Sequence, residues 1–356
     1  MPGSTIRTGL VGYGLGGESF HAPVITAVPG LHLAKVVERR TEKARQRYPW
    51  VEIVRDVDEL LVADNIDLVV ITTPNQTHFP LAKAALEAGK HVVVDKPFTV
   101  TSAEACALAE TARRTERMLT AYHNRRWDGD FTTLQQLLAG GELGRILEFE
   151  SGFDRYRPIV KTGAWRETGE PGGGALYDLG VHLIDQALVL FGVPMAITAQ
   201  LNTQRQHGIA PDYFHLVLHY DAHLVRLRVG MVIHEGRPRF QVYGTEAAFV
   251  KHGNDPQEAA LRSGLAPDAA GWGEEPPELW GTLTRQTADG VESRRVKTHR
   301  GRYQTFYEQV RDCLQGLGQA PVSVPDAVAT IQLIELAMQS SAEQRTVTVD
   351  TGIKSI

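Results

Sequence analysis

Residues 6–17 read IRTGLVGYGLGG, an apolar run that ends in glycines with the spacing G-x-G-x-x-G. The pattern predicts a buried strand, a tight turn and the first turn of a helix. Gly12 would make the turn, Gly14 would let the backbone come close to a pyrophosphate, and Gly17 would let the helix pack on the strand. The N–H groups at the start of that helix would then face the phosphates. Because glycine-rich turns are common, the residues that follow decide whether this is a nucleotide site.

The second predicted strand, residues 31–38, ends in Glu38, which lies 21 residues after Gly17 (38 − 17). An acid at about this distance binds the ribose diol in dinucleotide-binding folds. Arg39 and Arg40 follow directly, and an arginine there can stack on adenine and pair with a 2′-phosphate. The acid favours NAD and the arginines favour NADP, so the choice of dinucleotide stays open. A solvated acid and a solvated arginine pair are the alternatives.

Strands and helices keep alternating through the first third of the chain. Apolar runs at 66–71, 91–95 and 118–122 predict strands, the first of them buried on both faces of a sheet. The loop 72–78 follows the first of these runs, at the carboxyl end of the predicted sheet, where ligands bind in this architecture. Six predicted strands separated by helical stretches indicate a doubly wound parallel sheet over residues 1–122.

Lys96 directly follows the fifth predicted strand, in the segment Asp95-Lys96-Pro97. It would project from the carboxyl edge of the sheet toward the nicotinamide end of a cofactor. When a hydride leaves an alcohol carbon, the alcohol oxygen loses its proton, and an ammonium group beside it stabilises the developing negative charge. The alternative is a surface lysine after a strand.

Residues 123–356 are predicted to form a second domain. Its clearest element is a helix over 175–191, which follows a glycine-rich loop. Asp178 and His182 are four residues apart and share one helix face, so the acid can fix the imidazole tautomer and raise its pKa, as a general acid/base requires. A surface Asp–His pair is the alternative, but the helix is otherwise mostly apolar. No further ligands with suitable spacing stand nearby, so no metal is expected.

The remainder of the second domain is predicted to be mainly β. Residues 196–251 contain five strand-like segments separated by turn residues, which indicate an antiparallel, meander-like sheet. Residues 253–281 are rich in Pro, Gly, Asp and Glu, and we expect a long surface excursion. Helices at 303–314 and 326–339 complete a predicted α/β fold, a doubly wound parallel sheet followed by an α+β domain.

Composition bounds the class of protein. The chain has 356 residues, 42% hydrophobic and 22% charged, which predicts a globular protein of two domains. A net charge of −5 gives no reason to expect nucleic acid or a membrane as partner. Cys106 and Cys313 are too far apart in sequence to form a disulfide framework and fit a reducing compartment. With no signal peptide or transmembrane run recognised, a cytoplasmic location is expected.

Taken together, the motifs resemble the glucose–fructose oxidoreductase, inositol dehydrogenase and rhizopine catabolism family of NAD(P)-dependent oxidoreductases over essentially the whole chain. The motifs that carry the resemblance are the glycine turn 12–17, Thr73-Pro74-Asn75 with His78, the segment 88–97 with Lys96-Pro97, and Gly172-Gly173-Gly174 leading to Asp178 and His182. Segments 124–128 and 153–158 are similar to the branch that holds NADP-type scyllo-inositol dehydrogenases.

The resemblance implies a Rossmann domain followed by an α/β domain whose open, mostly antiparallel sheet often forms the interface of homodimers or homotetramers. It implies that Lys96 belongs to the family's Glu-Lys-Pro motif, where this chain has Asp95 in place of the usual Glu. His182 is the implied proton donor or acceptor, and Asp178 orients it or binds a substrate hydroxyl. The predicted cofactor contacts are Gly12, Gly14, Leu15, Gly17, Glu38, Arg39, Arg40, Thr73, Pro74, Asn75, His78, Lys96, Asn124 and Arg125. The predicted substrate contacts are Lys96, Tyr156, Arg157, Trp165, Asp178 and His182.

These residues predict hydride transfer between NAD or NADP and a secondary alcohol of a sugar, inositol or related cyclic polyol. Two alternatives stay open. A dinucleotide-sensing regulator without redox chemistry has no need for Lys96, Asp178 and His182 together. A glycoside hydrolase of the same family that uses tightly held NAD transiently would keep its cofactor through purification and form no net NADH.

Overall fold

The computed structural model describes residues 5–161 and 163–350, and of Trp165 only the backbone. The chain forms two compact units. Of the described residues, unit 1 contains those up to 127 together with 257–272 and 302–328, and unit 2 contains those of 128–256, 273–301 and from 329 onward. Along the chain, unit 1 first gives way to unit 2 after Trp127, close to the predicted domain boundary after residue 122. A single boundary does not describe this arrangement, because two later segments also belong to unit 1.

The strands are β1 (Ile6–Val11), β2 (Leu31–Val37), β3 (Glu52–Val54), β4 (Leu68–Ile71), β5 (His91–Val94), β6 (Leu119–Ala121), β7 (Ile146–Asp154), β8 (Ala196–Asn202), β9 (Tyr213–His219), β10 (Leu224–Gly230), β11 (Phe240–Gly244), β12 (Ala248–Lys251), β13 (Gly281–Thr287), β14 (Gly290–Val296) and β15 (Val347–Thr348). The α-helices are α1 (Ala22–Thr26), α2 (Lys43–Arg47), α3 (Val57–Leu61), α4 (His78–Glu87), α5 (Ser102–Thr115), α6 (Gly129–Ala139), α7 (Val181–Phe191), α8 (Gln257–Arg262), α9 (Gln304–Leu314) and α10 (Val324–Glu343).

Unit 1 is built on a parallel sheet of six strands in the order β3-β2-β1-β4-β5-β6. Every residue of β4 and all but one residue of β1 are buried, as expected for strands covered on both faces. The strand order reverses between β1 and β4, and sheets of this kind bind ligands at the carboxyl ends of the strands beside that point. The predicted doubly wound sheet is confirmed.

Unit 2 contains a sheet of nine strands in the order β14-β13-β12-β11-β7-β10-β9-β8-β15. Its pairs are antiparallel except for β7 with β10, which run parallel. The predicted mostly antiparallel sheet is confirmed, but the meander order is wrong, because β7 inserts between β10 and β11. Alternation of apolar residues shows which face of a strand is buried and carries no information on which strand pairs with it.

The segment 253–281 is exposed over much of its length, as predicted, but it is not merely a surface excursion, because parts of it are buried in the core. The segment contains α8, and the side chains of Gln257 and Trp272 are almost fully buried. The Gln257 amide nitrogen donates to the carbonyl oxygen of Trp127 at 3.1 Å, and its Oε1 accepts from the Tyr303 N–H at 2.7 Å and from the Trp272 indole at 3.2 Å. The polar Gln257 can be buried here because each of its amide atoms has a hydrogen-bond partner, and two of the three partners come from other segments, which composition cannot show.

The hairpin β13–β14 is absent from the sequence-based prediction. Residues 291–295 of β14 are all exposed and four of the five are polar, so the strand shows little of the alternation by which strands are recognised. Its pairing along the whole of β13 fixes it as a strand.

Two helices begin with a π-helical turn. The turn Gly16–His21 precedes α1, and the turn Leu176–Gly180 precedes α7. Such turns are rare and occur often at functional sites. Within the described ranges no helix is both long and apolar enough to cross a membrane.

Candidate active site

The glycine turn joins β1 to the π-helical turn Gly16–His21. Gly12 has φ of +95°, a conformation that side-chain-bearing residues rarely adopt. A Cβ on Gly17 would lie 2.2 Å from the carbonyl oxygen of Gly12, whereas a Cβ on Gly14 would meet nothing within 4 Å. Gly17 is therefore required by packing inside the protein, and Gly14 faces open space through which a pyrophosphate could approach. These residues fit a dinucleotide cradle.

The loop after β4 contacts the glycine turn and the loop after β5. The Thr72 hydroxyl donates to the Gly12 carbonyl oxygen at 2.8 Å. His78 is buried, with Nδ1 2.8 Å from the Pro97 carbonyl oxygen and Nε2 2.9 Å from the Thr73 carbonyl oxygen. Burial lowers the pKa of His78, and the nearby Asp95 carboxylate opposes that shift. His78 thus connects the two loops that follow neighbouring strands, and its direct contact with a cofactor stays a prediction.

Lys96 lies directly after β5, and the Lys96–Pro97 bond is cis. The preceding Asp95 carboxylate accepts from the Lys96 backbone N–H at 2.8 Å and lies 3.5 Å from Nε2 of His21, which belongs to the π-helical turn. Burial opposes ionisation of Asp95, but His21 and Lys96 outweigh it and hold the pKa of the carboxyl at about 2. The His21 Nδ1 is in turn 2.6 Å from the Tyr307 hydroxyl. The lysine loop is therefore anchored, through the half-buried charge of Asp95, to the π-helical turn that continues the glycine turn.

The carboxylate of Glu38 is turned into its own loop. It accepts hydrogen bonds from the backbone N–H groups of Lys43 at 3.0 Å and Ala44 at 2.8 Å, and from the hydroxyl of Thr41. The residue is only 4% exposed. Both carboxylate oxygens are thus already used inside the protein, which favours a structural role. The ribose contact of Glu38 stays a prediction.

Arg39 and Arg40 are both exposed on the same loop. Over residues 5–161 and 163–350, neither guanidinium group makes a hydrogen bond or ion pair. The loop that carries them is fixed by Arg55, whose guanidinium donates to the carbonyl oxygens of Glu38 at 2.9 Å and Thr41 at 2.7 Å. Two cations are therefore presented to solvent on a well-anchored loop.

The other predicted cofactor contacts of unit 1 lie in short turns. Leu15, beside the glycine turn, is 44% exposed. Asn75 is buried in the 3₁₀ turn Asn75–Thr77, which follows Thr73 and Pro74 and leads into α4. Asn124 and Arg125 are buried in the 3₁₀ turn Asn124–Trp127, and Arg125 forms an ion pair with Glu258 of α8. Unit 1 thus brings together the glycine turn and the loops after β4 and β5.

In unit 2, Asp178 lies in the π-helical turn Leu176–Gly180, and His182 lies in the first turn of α7. His182 is buried, and the Asp178 side chain is 22% exposed. Oδ1 of Asp178 accepts a hydrogen bond from Nε of Arg166 at 3.1 Å. A carboxylate held by an arginine has a fixed orientation, and a buried imidazole can exchange a proton. That Asp178 orients His182 stays a prediction.

Arg166 was not among the predicted site residues. It lies in the 3₁₀ turn Trp165–Glu167, within a stretch rich in glycine and charge that is typical of a solvated loop. Nothing in the local pattern distinguishes its charge from the solvated charges around it, because its partner is twelve residues away. The structure therefore adds Arg166 to the candidate site residues, as a hydrogen-bond donor to Asp178.

The remaining predicted substrate contacts lie on loops of unit 2. Tyr156 is 53% exposed, and its ring centroid is 3.9 Å from that of His234. The Arg157 side chain is exposed, while its backbone N–H donates to the Met231 carbonyl oxygen at 2.7 Å. The side chain of Trp165 lies outside the described residues. Contact of these three residues with a substrate stays a prediction.

Comparison with known proteins covers almost the whole chain. Residues 6–123 match the model of an oxidoreductase family with an NAD-binding Rossmann fold, named GFO_IDH_MocA, and residues 135–349 match the model of that family's C-terminal alpha/beta domain. The chain is 45% identical over 341 residues to the uncharacterized oxidoreductase YdgJ of Escherichia coli (strain K12), which covers 96% of this chain and 98% of that protein.

Two further similarities extend over the same length. The chain is 38% identical over 346 residues to the scyllo-inositol 2-dehydrogenase (NADP(+)) IolW of Bacillus subtilis (strain 168), with 97% of this chain and 96% of that protein covered. The solved structure of yvaA from Bacillus subtilis superimposes with a TM-score of 0.95 at 37% identity, covering 98% of this chain and 99% of that one. The similarity therefore includes both units.

Proposed function

The chain belongs to the GFO/IDH/MocA oxidoreductase family, and from this premise we propose that it is an NAD(P)-dependent dehydrogenase acting on a secondary alcohol of a sugar, inositol or related cyclic polyol. The observation that carries the proposal is the glycine turn of unit 1, with an unobstructed Gly14 and with Lys96 on a loop anchored to the same turn. The similarity to a protein named as a scyllo-inositol 2-dehydrogenase supports the polyol class.

In the proposed reaction the bound nicotinamide ring supplies the hydride acceptor. His182 accepts the proton of the substrate hydroxyl on an imidazole nitrogen. The Lys96 ammonium stabilises the negative charge that develops on the hydroxyl oxygen. Asp178 holds the imidazole orientation or binds a neighbouring hydroxyl of the substrate.

The test compares the parent with Lys96→Met and His182→Asn on a panel of inositols and cyclic sugars, each with NAD and NADP. We expect kcat for the best substrate to fall by roughly 10²- to 10⁴-fold in each variant, the usual contribution of a positioned acid/base group. Lys83→Met is the matched control, since Lys83 is an exposed lysine of α4 that pairs only at the surface with Glu87. Parental turnover in both active-site variants would overturn the proposal.

We also infer that NADP is the preferred dinucleotide. Glu38 uses both carboxylate oxygens inside its own loop, while Arg39 and Arg40 present two charges to solvent. A 2′-phosphate is recognised by arginine, whereas a ribose diol needs an acceptor such as a carboxylate. The similarity to an enzyme named as NADP(+)-dependent supports the same choice.

Titration of NADPH and NADH against the parent and Arg39→Ala/Arg40→Ala tests this preference. We expect the NADPH dissociation constant to rise by about 10- to 100-fold, because charge-assisted hydrogen bonds to a phosphate are worth about 1.5–3 kcal/mol. The NADH constant should change little. Glu38→Gln serves as the control and should lower the Tm without changing the ratio of the two constants. An equal loss of both dinucleotides in the double variant, or a selective loss of NADH in Glu38→Gln, would contradict the inference.

A further inference from the structure

Arg166 and Glu167 are consecutive residues that enter two different ion pairs within unit 2. The Glu167 carboxylate accepts two hydrogen bonds from the guanidinium of Arg205, at 3.1 and 2.5 Å. The Arg166 guanidinium donates to Asp178 at 3.1 Å. The turn Trp165–Glu167 therefore contributes to two ion pairs, that of Glu167 with Arg205 and that of Arg166 with Asp178. The two pairs differ in the exposure of their arginine side chains.

In the pair made by Glu167 the Arg205 guanidinium is buried and also contacts a second carboxylate, whereas the Glu167 side chain itself is 20% exposed. The Arg205 side chain is 4% exposed, and its Nε donates at 2.8 Å to Asp212, whose side chain is 1% exposed. Asp212 also accepts from the backbone N–H groups of Gln204 at 2.7 Å and Arg205 at 3.1 Å. Buried charges are tolerated only with such complete pairing, and this pairing fixes the positions of its members. We call Glu167, Arg205 and Asp212 the carboxylate clamp.

The clamp fastens the turn Trp165–Glu167 to the chain just before β9. The following glycine-rich loop is also tightly folded, because a Cβ on Gly173 would lie 2.7 Å from the Thr168 carbonyl oxygen. Arg166 is therefore followed directly by the fixed residue Glu167 and then by a constrained loop, which limits how far its backbone can move away from Asp178.

The pair made by Arg166 is open to solvent by comparison. The Arg166 side chain is 41% exposed and that of Asp178 is 22% exposed. Ion pairs of this exposure add little to stability, because water screens them. Its effect is local instead: a guanidinium at this position fixes the direction of the Asp178 carboxylate oxygens.

We propose that Arg166 is a positioning residue of the active site, which acts through Asp178 and is itself held in place by the carboxylate clamp. The proposal rests on the proposed function, in which Asp178 serves the proton chemistry of His182. Without the guanidinium, the Asp178 carboxylate loses one of the contacts that fix its orientation, and the productive orientation is populated for a smaller fraction of the time. Binding of the dinucleotide to unit 1 does not depend on this contact.

The experiment measures kcat, KM for the best polyol and the NADPH dissociation constant for the full-length parent, Arg166→Ala, Asp178→Asn and the double variant. We expect Arg166→Ala to lower kcat by about 10- to 100-fold, as small misplacements of a catalytic group do. The NADPH constant should stay at the parental value. Because Arg166 acts through Asp178, the double variant should be within about 2-fold of Asp178→Asn alone.

Chemical rescue distinguishes a loss of kcat that comes from the missing guanidinium group from a loss of kcat that comes from a damaged fold. Added guanidinium or ethylguanidinium should restore part of the kcat of Arg166→Ala and none of that of Asp178→Asn. Glu167→Gln weakens the clamp and should reproduce part of the loss in kcat without being rescued. Arg285→Ala is the matched control, since Arg285 forms an exposed ion pair with Glu292 on the β13–β14 hairpin.

The outcomes distinguish this proposal from the proposed function. Parental kcat in Arg166→Ala together with a large loss in Asp178→Asn would overturn the role of Arg166 and leave the proposed function standing. Losses that multiply in the double variant would show that Arg166 acts independently of Asp178, which also overturns the proposal. Parental kcat in Asp178→Asn would instead refute the role that the proposed function gives to Asp178.

Discussion

In unit 1 the π-helical turn Gly16–His21 follows the glycine turn, and in unit 2 the π-helical turn Leu176–Gly180 leads into α7. Each turn contains a glycine at which a Cβ would clash with a neighbouring atom, but that neighbour is backbone in one turn and side chain in the other. A Cβ on Gly17 would lie 2.2 Å from the backbone carbonyl oxygen of Gly12. A Cβ on Gly180 would lie 2.7 Å from the end of the Leu176 side chain and 3.1 Å from the Phe214 ring. Backbone cannot yield at the first position, while side chains can yield at the second.

The charges beside the two turns are held in different ways as well. In unit 1 Asp95 is the direct neighbour of Lys96 and meets His21 of the turn itself. In unit 2 Asp178 is held by Arg166, whose neighbour Glu167 forms an ion pair with Arg205 of a third segment. The comparison teaches that the close glycine contact of unit 1 is specified by backbone sterics within a few residues. The close glycine contact of unit 2 and the charged pairs of both units are specified by side chains, and Asp95 and His21 come from separate segments of the chain.

The largest effect is expected at Gly17. Gly17→Ala places a methyl group against the Gly12 carbonyl and the Thr72 hydroxyl, so the first helix must move away from β1. We expect the free energy of unfolding to fall by about 3 kcal/mol or more, at or above the usual range for overpacking. Denaturant unfolding of the purified variant measures this loss. NADPH binding should be lost together with the fold of the turn.

Two further glycine variants serve as controls for Gly17→Ala. Gly14→Ala has no neighbour within 4 Å and should keep the parental stability while weakening NADPH binding, because its methyl group projects into the space for the pyrophosphate. Gly180→Ala should destabilise by about 1–2 kcal/mol, since the Leu176 and Phe214 side chains can shift. Equal losses of stability at Gly17 and Gly180 would remove the distinction between backbone and side-chain contacts.

A smaller, pH-dependent effect is expected at Asp95, the half-buried carboxylate next to Lys96. The pKa of Asp95 in the folded protein is about 2, below the ordinary value of 3.8. The ionised carboxylate therefore stabilises the folded protein fully at pH values above 3.8. The contribution is lost as the pH falls through about 2, and its size is on the order of 2 kcal/mol. Asp95→Asn should therefore be less stable than the parent near neutral pH, and the difference should shrink on acidification.

Denaturant unfolding of parent and Asp95→Asn from about pH 7 to about pH 2 measures that difference. A difference that stays constant with pH would mean that the Asp95 charge is not stabilised by His21 and Lys96. The variant would then differ from the parent only in packing, and the contrast with the arginine-held Asp178 would weaken.

Much of unit 1 could be predicted from the sequence. The strand, the glycine spacing and the next strand are local features, and each is fixed by sterics or burial within a short stretch, so their order gave the parallel sheet and the position of Lys96 at a strand end. The direction of the Glu38 side chain could not be predicted. A glutamate that binds a ribose and a glutamate that binds its own loop look the same in the sequence. Only the backbone path of residues 41–44 decides between the two, because it brings hydrogen-bond donors to the Glu38 carboxylate.

Unit 2 depended on tertiary structure to a greater extent. The sequence by itself determined the helix that carries His182 and most of the strands, because periodicity reports burial directly. Only the folded chain decided that β7 inserts beside β10, that Gln257 is core, and that Arg166 meets Asp178. The physical reason is the same in all three cases. Strand partners, buried polar groups and ion pairs are chosen by groups far apart in the chain, and no local pattern records which distant group will be near.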